Sequence, residues 1–378
     1  MLVRAVNAIG NGPDSDSKSV TPTAAAGALQ AVSMRGDIGR TVGPARTASN
    51  NVQVCRTRDY ISDDAAISGG LVLYFSAKRV GAGVEVDGDA HALRADIEIN
   101  GVCVAVTFDG GATSKAISNG AVLVPCDPVP PSAFGLAKFE AGTLFWRKVE
   151  RTFAVGGAPV YWRTQGNTPG IAGENAFSGA AGTAVSKIGV AGAMTTAGSW
   201  TALTAFWGPD LVAGVPDGPM RAVYTYGASL EEGQKDNGGD GASGAGGYIR
   251  RGLANVGGKK VAGVNVGMGG ERADQFVSTS AYRRQLSAFC NIGLNGYGGN
   301  DFSSNRNKEA TSASLDQCDA IIKLLLIGGK RIGRLVWHRS PTAPIAGRPS
   351  QIRPFARASL ISAPIWTHPQ RHSLPMAR

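Results

Sequence analysis

Charged residues and residues that bind metals are both scarce in this sequence. Asp, Glu, Lys and Arg make up 17% of its 378 residues, and it has five cysteines and four histidines. The cysteines form no Cys-x-x-Cys pair and no cluster with histidine at the spacing of metal ligands, which excludes the common zinc motifs. We therefore expect buried free thiols and no metal or organic cofactor, with a Cys103–Cys126 bridge inside one β domain as the alternative.

Long apolar runs are absent as well. No run approaches the roughly 20 residues that a membrane-spanning helix needs, so we expect no membrane segment. The first twelve residues, MLVRAVNAIGNG, lack the apolar core of a signal peptide, and no export signal is visible. The 53 glycines and the many other small residues predict numerous turns and short strands.

Acidic residues are missing from one end of the chain, which explains its net charge of +10. Residues 331–378 hold eight arginines and no Asp or Glu, and without those arginines the remaining chain has 30 basic and 28 acidic residues. The body of the protein is therefore nearly neutral, and nucleic-acid binding, which would depend on the tail, ranks last among the functions considered.

The first 26 residues contain two short strand-like stretches around a turn marked by Gly10, Gly12 and Pro13. They resemble the last two strands of a fibronectin type III domain, with the turn AVNAIGNGP and the ending SVTPTAA. We assign residues 1–26 to a remnant of such a domain and residues 27–49 to a linker. A polar N-terminal tail is the alternative.

Residues 50–215 carry a clear β pattern. In LRADIEINGVCVAVTFDGG (93–111), apolar and polar residues alternate on either side of Asn100-Gly101, a pair that favours a tight hairpin with one buried face. Further strands separated by Gly and Pro predict a β-sandwich of jelly-roll type. Trp146, Tyr161 and Trp162 could stack on sugar rings if exposed, but packing in the core is the favoured interpretation.

From residue 218 onwards, apolar strands alternate with helical stretches. Two strands run into glycine-rich turns, and a helix ending at Gly328-Gly329 has Ala320, Ile321, Leu324 and Leu325 at core spacing. This alternation predicts a parallel sheet covered by helices over 218–330, a three-layer, flavodoxin-like domain. Residues 234–247, rich in glycine, are expected to form a flexible loop and lack the pattern of a phosphate-binding loop.

Three turns of this second domain carry the residues expected to do chemistry. The first contains Gly227-Ala228-Ser229, the second runs from Asn265 to Gly270, and the third contains Asn300, at intervals of 41 and 30 residues from Ser229 to Gly270 to Asn300. A serine hydrolase needs a nucleophile and hydrogen-bond donors aimed at the oxyanion, and turns at strand ends can present both.

These turns resemble the first three sequence blocks of the SGNH (GDSL-like) hydrolases, a family of α/β/α esterases. VNVGMGGERADQF is similar to the family's second block, and bacterial and phage members that act on carbohydrates can carry a preceding β-sandwich. The resemblance implies that Ser229 is the nucleophile. It also implies that the amides of Ser229 and Gly270 and the side chain of Asn300 form the oxyanion hole.

The chain departs from the family pattern at two points. Ala228 replaces the Asp of the Gly-Asp-Ser block, and no Asp-x-x-His fourth block is present, because no acidic residue follows Asp319. None of the histidines after that point has an Asp three positions before it, which leaves His338 as a weak candidate for the general base.

Residues 331–378 form an irregular tail by prediction, with seven prolines and arginine in place of lysine. Our hypothesis is that this segment is read from a shifted frame of the gene and that the true ending is lost between about Lys330 and His338. A natural Arg/Pro-rich tail that binds acidic partners is the alternative.

The combined expectation is a serine esterase or deacetylase that removes acyl groups from a carbohydrate or a similar small ester, with an incomplete triad. The alternative is a non-catalytic, carbohydrate-binding or structural protein of a bacterial surface or phage particle. Both interpretations favour an extracellular or particle-associated location.

Overall fold

In the computed structural model, the chain forms two packed units, one with antiparallel sheets and one with a parallel sheet. It describes the backbone of residues 6–7 and 10–11 and, in full, residues 27–81, 83–162, 172–181, 187–195, 200–234, 247–303, 307–328 and 331–335. His338 lies outside these residues, and so does most of the predicted loop at 234–247. Of the predicted fibronectin-like remnant, only a short antiparallel pair of strands is described.

The first unit consists of antiparallel strands, and one strand of the same part of the chain, Gly36–Asp37, joins the sheet of the second unit. In chain order the strands before residue 218 are β1 (Val6–Asn7), β2 (Gly10–Asn11), β3 (Gln30–Ala31), β4 (Gly36–Asp37), β5 (Thr41–Val42), β6 (Val52–Tyr60), β7 (Val72–Phe75), β8 (Lys78–Gly81), β9 (Val84–Asp87), β10 (His91–Ile99), β11 (Val102–Ala105), β12 (Lys115–Ile117), β13 (Val124–Pro125), β14 (Leu144–Phe153), β15 (Val160–Tyr161), β16 (Asn175–Gly179), β17 (Thr201–Leu203) and β18 (Leu211–Gly214).

Two of the sheets make the predicted sandwich. One has the order β11-β10-β14-β6-β16-β17, with β12 also pairing with β10, and the other has the order β13-β7-β18-β3. Long strands pair in register over their whole length, so that Ala95 lies opposite Val149 and Val149 opposite Cys55. Apolar side chains, including the fully buried Phe108 and Phe145, fill the core.

The hairpin predicted at Asn100-Gly101 is confirmed, but its single buried face is not. Both turn residues have positive φ, 51° and 79°, as a tight hairpin requires. On the face expected to be exposed, Asp96 and Glu98 are buried and pair with Lys148 and Arg56 at 3.0 and 3.1 Å. The burial is tolerated because each carboxylate has an oppositely charged partner and accepts a backbone amide, from Gly189 and Gly192 respectively.

The free state of the cysteines and the burial of two of the three aromatic residues follow the favoured predictions. All five cysteines are free, so the alternative Cys103–Cys126 bridge is wrong. Tyr161 and Trp162 are each 5% exposed and lie in the core. Trp146 is half-buried, with the guanidinium carbon of Arg56 3.6 Å from its ring centre.

The second unit is the predicted α/β domain. Its elements are β19 (Ala222–Tyr226), α1 (Ser229–Glu232), α2 (Tyr248–Leu253), β20 (Ala262–Asn265), α3 (Ala273–Thr279), α4 (Ala281–Leu286), β21 (Ile292–Asn295), α5 (Gly299–Ser303), α6 (Lys308–Leu325) and β22 (Arg331–Arg334). The sheet order is β22-β21-β19-β20-β4, and every neighbouring pair is parallel. A parallel sheet with its helices was the predicted architecture and is confirmed.

Helices cover both faces of this sheet. Ile249 and Leu253 of α2 pack with Val223 on one face, and Phe276 of α3 stacks on Tyr226 on the other, with ring centres 5.4 Å apart. Alternate residues of β19 therefore point to opposite helical layers, which is the pattern of a buried parallel strand.

The predicted core face of the last helix is wrong by about a quarter of a turn. Leu324 is 86% exposed and Ala320 is exposed, whereas Thr311, Ser314, Cys318 and Ile322 form the buried face of α6. Near the C-terminal end of α6, leucines and isoleucines follow one another, so the sequence pattern there does not single out one buried face. At the N-terminal end, the buried face consists of the small polar residues Thr311 and Ser314.

The predicted linker at 27–49 contains the three short strands β3, β4 and β5, and the predicted irregular tail begins with the strand β22. Residues Gly36–Asp37 form the edge strand β4 beside β20, and Arg331–Arg334 form the opposite edge strand β22 beside β21. Arg334 pairs with Asp316 and Asp319 of α6, both at 2.6 Å, which fixes β22 against the helix. In the described part of the chain, no helix combines the length and apolar character needed to cross a bilayer.

Candidate active site

The three turns singled out in the sequence follow three neighbouring strands. Ser229 begins α1 after β19 ends at Tyr226, Gly270 follows β20, and Asn300 lies in α5 after β21. Because β20, β19 and β21 are adjacent and parallel, their carboxyl ends meet at one edge of the sheet. Ligand sites of open parallel sheets form at this edge.

Ser229 lies at the start of a single helical turn. The preceding residue, Ala228, is non-helical, with φ −96° and ψ −149°, and α1 ends at Gly233, whose φ of 78° is left-handed. Ser229 is half-buried, and within the described part of the chain its hydroxyl has no hydrogen-bond partner. The backbone thus presents this side chain at the sheet edge without engaging it.

The second turn is joined to the first by backbone hydrogen bonds. The Met268 amide donates to the Gly227 carbonyl at 2.9 Å, and the Gly269 amide donates to the Glu232 carboxylate at 2.6 Å. Gly270 then follows with φ 79° and is exposed, so its left-handed conformation favours glycine at the point where the resemblance implies an oxyanion donor.

The third turn is joined to the other two. The Gly296 amide donates to the Tyr226 carbonyl at 2.8 Å, at the end of β19. The side-chain amide of Asn300 donates to the carbonyl of Glu271, the residue after Gly270, at 3.0 Å. One N–H of the Asn300 carboxamide therefore holds the third turn against the second.

Two strand-end asparagines shape the turns in the same way. The Oδ1 atoms of Asn265 and Asn295 accept the amides two residues later, from Gly267 at 3.0 Å and Tyr297 at 2.9 Å. Such Asx-type bonds turn the chain sharply out of each strand. The Nδ2 atom of Asn265 also donates to the Glu231 carbonyl at 2.7 Å, which ties the second turn to α1.

Arg40 binds main-chain carbonyls of the second turn, a role that the sequence does not predict. Its Nε and Nη2 atoms donate to the carbonyls of Gly267 and Asn265 at 2.8 and 2.9 Å, and Nη1 pairs with Asp37 of β4. Burial lowers the pKa of the Arg40 guanidinium to about 10, so the group stays charged at neutral pH. Its acceptors are main-chain atoms far along the chain, which no motif could have signalled.

A buried ion pair holds the other end of this turn. Arg283 of α4 binds Glu271 in a bidentate manner at 2.6 and 2.7 Å, and Tyr297 donates its hydroxyl to the same carboxylate. Arg283 also pairs with Glu85 of β9 at 3.3 Å. The first unit therefore contacts the segment that carries Gly270 through Glu85 and Arg283.

Among the described residues, no side chain forms the hydrogen bond with the Ser229 hydroxyl that would identify a general base. His91 is the one histidine among the described residues. It belongs to β10 of the sandwich and lies against Phe153 with the rings tilted and their centres 5.0 Å apart. Burial lowers the pKa of His91 to about 4. Among the described residues there is also no group of three or more His, Cys, Asp or Glu side chains that could hold a metal ion.

No protein-family model and no curated protein matches the chain. It is similar to the solved structure of a family two carbohydrate esterase from Clostridium thermocellum in complex with cellohexaose, at 10% identity and a TM-score of 0.25, over 79% of each chain. It is also similar to a family two carbohydrate esterase from Cellvibrio japonicus, at 11% identity and a TM-score of 0.23, over 81% of this chain and 78% of that chain. Because these TM-scores are low, the fold is assigned from the strand order, and the candidate site from the residues described above.

Proposed function

We propose that this protein is a serine esterase or deacetylase of the SGNH type. The observation that carries the proposal is the convergence of three turns at one sheet edge, joined by the bonds from Met268 to Gly227 and from Asn300 to Glu271. These are the turns that resemble the first three blocks of that family. Acyl transfer requires a nucleophile and hydrogen-bond donors held close together, and turns that meet at one sheet edge can supply both.

The proposed reaction begins with attack of the Ser229 hydroxyl on an ester carbonyl. The main-chain N–H groups of Ser229 and Gly270 and the Asn300 carboxamide would stabilise the negative charge that develops on the carbonyl oxygen. The alcohol then leaves, and water hydrolyses the acyl-serine. Each such donor contributes about 2.7–4 kcal/mol of transition-state stabilisation in comparable enzymes.

The missing base limits the expected rate. An unassisted serine hydroxyl is a weak nucleophile at neutral pH, and an oxyanion hole and substrate binding alone give roughly 10³–10⁴-fold acceleration over water. We therefore propose residual turnover of activated esters by the chain as it stands. His338 as the base remains part of the proposal only and lies outside the described residues.

The proposed substrate class is an acylated carbohydrate or a similar small ester. This part of the proposal rests on the resemblance of the second block, together with a preceding β-sandwich, to carbohydrate-acting members of the family. Hydrolysis of acetylated xylan and of acetylated cello-oligosaccharides, compared with simple acetate esters of similar reactivity, would separate a carbohydrate preference from general esterase activity.

A direct test is hydrolysis of p-nitrophenyl acetate by the full chain and by Ser229→Ala. Ser278→Ala, on the exposed side of α3, is the matched control. The proposal expects loss of turnover in Ser229→Ala only. Equal rates for the wild type and both variants would contradict it.

The second candidate is a non-catalytic protein that uses the hydrolase fold as a scaffold. It is favoured by the Ser229 hydroxyl, which has no partner in the described part of the chain, and by the missing Asp-x-x-His block. Calorimetric binding of cello-oligosaccharides by Ser229→Ala, in the absence of any turnover by the wild type, would favour this candidate.

A further inference from the structure

The carboxylate of Glu231 lies at the meeting point of the three turns. Its side chain is buried, and the whole residue is 1% exposed. Oε2 accepts the amide of Ala228 at 2.7 Å, and Oε1 accepts the hydroxyl of Tyr248 at 2.6 Å. The sequence marks Glu231 only as an acidic residue two positions after Ser229.

Three glycines, one from each turn, leave room for this side chain. A Cβ atom on Gly227 would lie 2.5 Å from Glu231 Oε2, one on Gly267 2.7 Å from its Cβ, and one on Gly296 2.5 Å from its Cγ. None of these glycines has a left-handed φ, so space rather than backbone conformation requires glycine there. Glycine is required at these three positions for one common reason, the space that the Glu231 side chain occupies.

The bond from Ala228 to Glu231 fixes the backbone that leads into Ser229. Glu231 is the third residue of α1, and its carboxylate accepts the N–H of the residue before the helix, which is one half of a capping box. Ala228 has no side-chain oxygen to supply the other half. Because α1 is a single turn, it has few bonds of its own, and the carboxylate supplies the constraint that it lacks.

We propose that Glu231 is a positioning residue for Ser229, an inference that rests on the proposed function. The carboxylate does not touch the substrate. It holds the Gly227–Ser229 backbone, and through the three glycines it holds that backbone at a fixed distance from the turns that carry Gly270 and Asn300. Loss of its charge weakens the bond to Ala228 while leaving the packing intact.

The test uses Glu231→Gln in the full chain, because glutamine keeps the shape and removes the charge. Asp96→Asn is the matched control, since Asp96 is an equally buried carboxylate in the sandwich, away from the candidate site. Three quantities are measured: kcat and KM for p-nitrophenyl acetate, amide hydrogen exchange of the peptide 223–233, and the melting temperature.

We expect Glu231→Gln to lower kcat about tenfold or more with KM nearly unchanged, and to speed exchange in 223–233, because a charge-assisted bond to a backbone amide is lost. Asp96→Asn should lower the melting temperature and leave kcat and this exchange unchanged. If Glu231 has a purely structural role, both variants should show a lower melting temperature with unchanged kcat and unchanged exchange in 223–233. That result would overturn the inference.

Failure of the proposed function is recognised separately, by equal turnover of the wild type and Ser229→Ala. In that case the exchange data decide. Faster exchange in 223–233 for Glu231→Gln alone supports the role of Glu231 in holding this turn. Unchanged exchange in both variants overturns it.

Discussion

The guanidinium of Arg40 donates to the main-chain carbonyl of Gly267 at 2.8 Å, across the boundary between the two units. Arg40 lies between β4 and β5, near the N-terminal end of the first unit, and Gly267 lies in the turn that leads to Gly270. A residue of the first unit therefore supports the candidate site of the second. The two units share this contact as well as the Arg283–Glu85 pair.

Replacing Arg40 should destabilise the protein and disturb the site together. Arg40→Met leaves the carbonyls of Gly267 and Asn265 without their charged donor, and the free energy of unfolding should fall by about 3 kcal/mol. Arg94→Met is the control, because the Arg94 side chain is 39% exposed and its pair with Glu150 should contribute about 1 kcal/mol or less. Urea denaturation followed by tryptophan fluorescence measures both variants, and equal losses would contradict this account.

The space around Glu231 gives a second prediction. Gly296→Ala would place a methyl group against the buried carboxylate and should lower the free energy of unfolding by about 1–3 kcal/mol. In Gly299→Ala the new Cβ meets no atom within 4 Å, so that variant should change stability by less than about 0.5 kcal/mol. Thermal denaturation of the two variants checks the difference, and a tolerated alanine at 296 would show that the turns do not pack tightly on Glu231.

Asp210 predicts a pH dependence of stability. Burial raises the pKa of Asp210 to about 7, despite hydrogen bonds from the hydroxyls of Tyr282 and Ser76. Because the pKa is higher in the folded than in the unfolded state, the stability that Asp210 contributes is fully present below about pH 4 and is lost as the pH rises towards 7. Between pH 5 and 8 the wild type should lose about 3 kcal/mol relative to Asp210→Asn.

The control for this experiment is Glu140→Gln, at an exposed carboxylate 3.4 Å from Lys138. Its stability should track that of the wild type across the same pH range. Denaturation at several pH values gives both comparisons. Parallel curves for the wild type and Asp210→Asn would show that Asp210 is ionised in the folded protein across this range.

The architecture was predictable where local patterns decide it. Asn100-Gly101 specifies its hairpin because the turn needs two positive φ angles, and apolar strands before glycine turns predict a parallel sheet. The face of α6 was not predictable, because the helix end carrying Leu324 is apolar on several sides. The burial of Asp96 was also unforeseen, since its partner Lys148 comes from another strand.

The candidate site likewise contains residues that the sequence predicts and residues that it does not. Ser229, Gly270 and Asn300 were chosen from the sequence because each sits in a turn with a motif, and the strand order puts the three turns at one edge. The roles of Arg40 and Glu231 are not predictable from the sequence, because the carbonyls that Arg40 binds and two of the three glycines around Glu231 come from distant parts of the chain. Residues of this kind become visible only when the turns are packed together.

The central claim is that Ser229 is a nucleophile, and its most direct test is the mass of the protein after exposure to p-nitrophenyl acetate. Without a general base, removal of the acyl group by water should be slow, so acetyl-serine should accumulate. We predict one added acetyl group, mapped by peptide mass spectrometry to Ser229 and absent in Ser229→Ala. Acetylation spread over lysines, with the peptide containing residue 229 unmodified, would contradict the account.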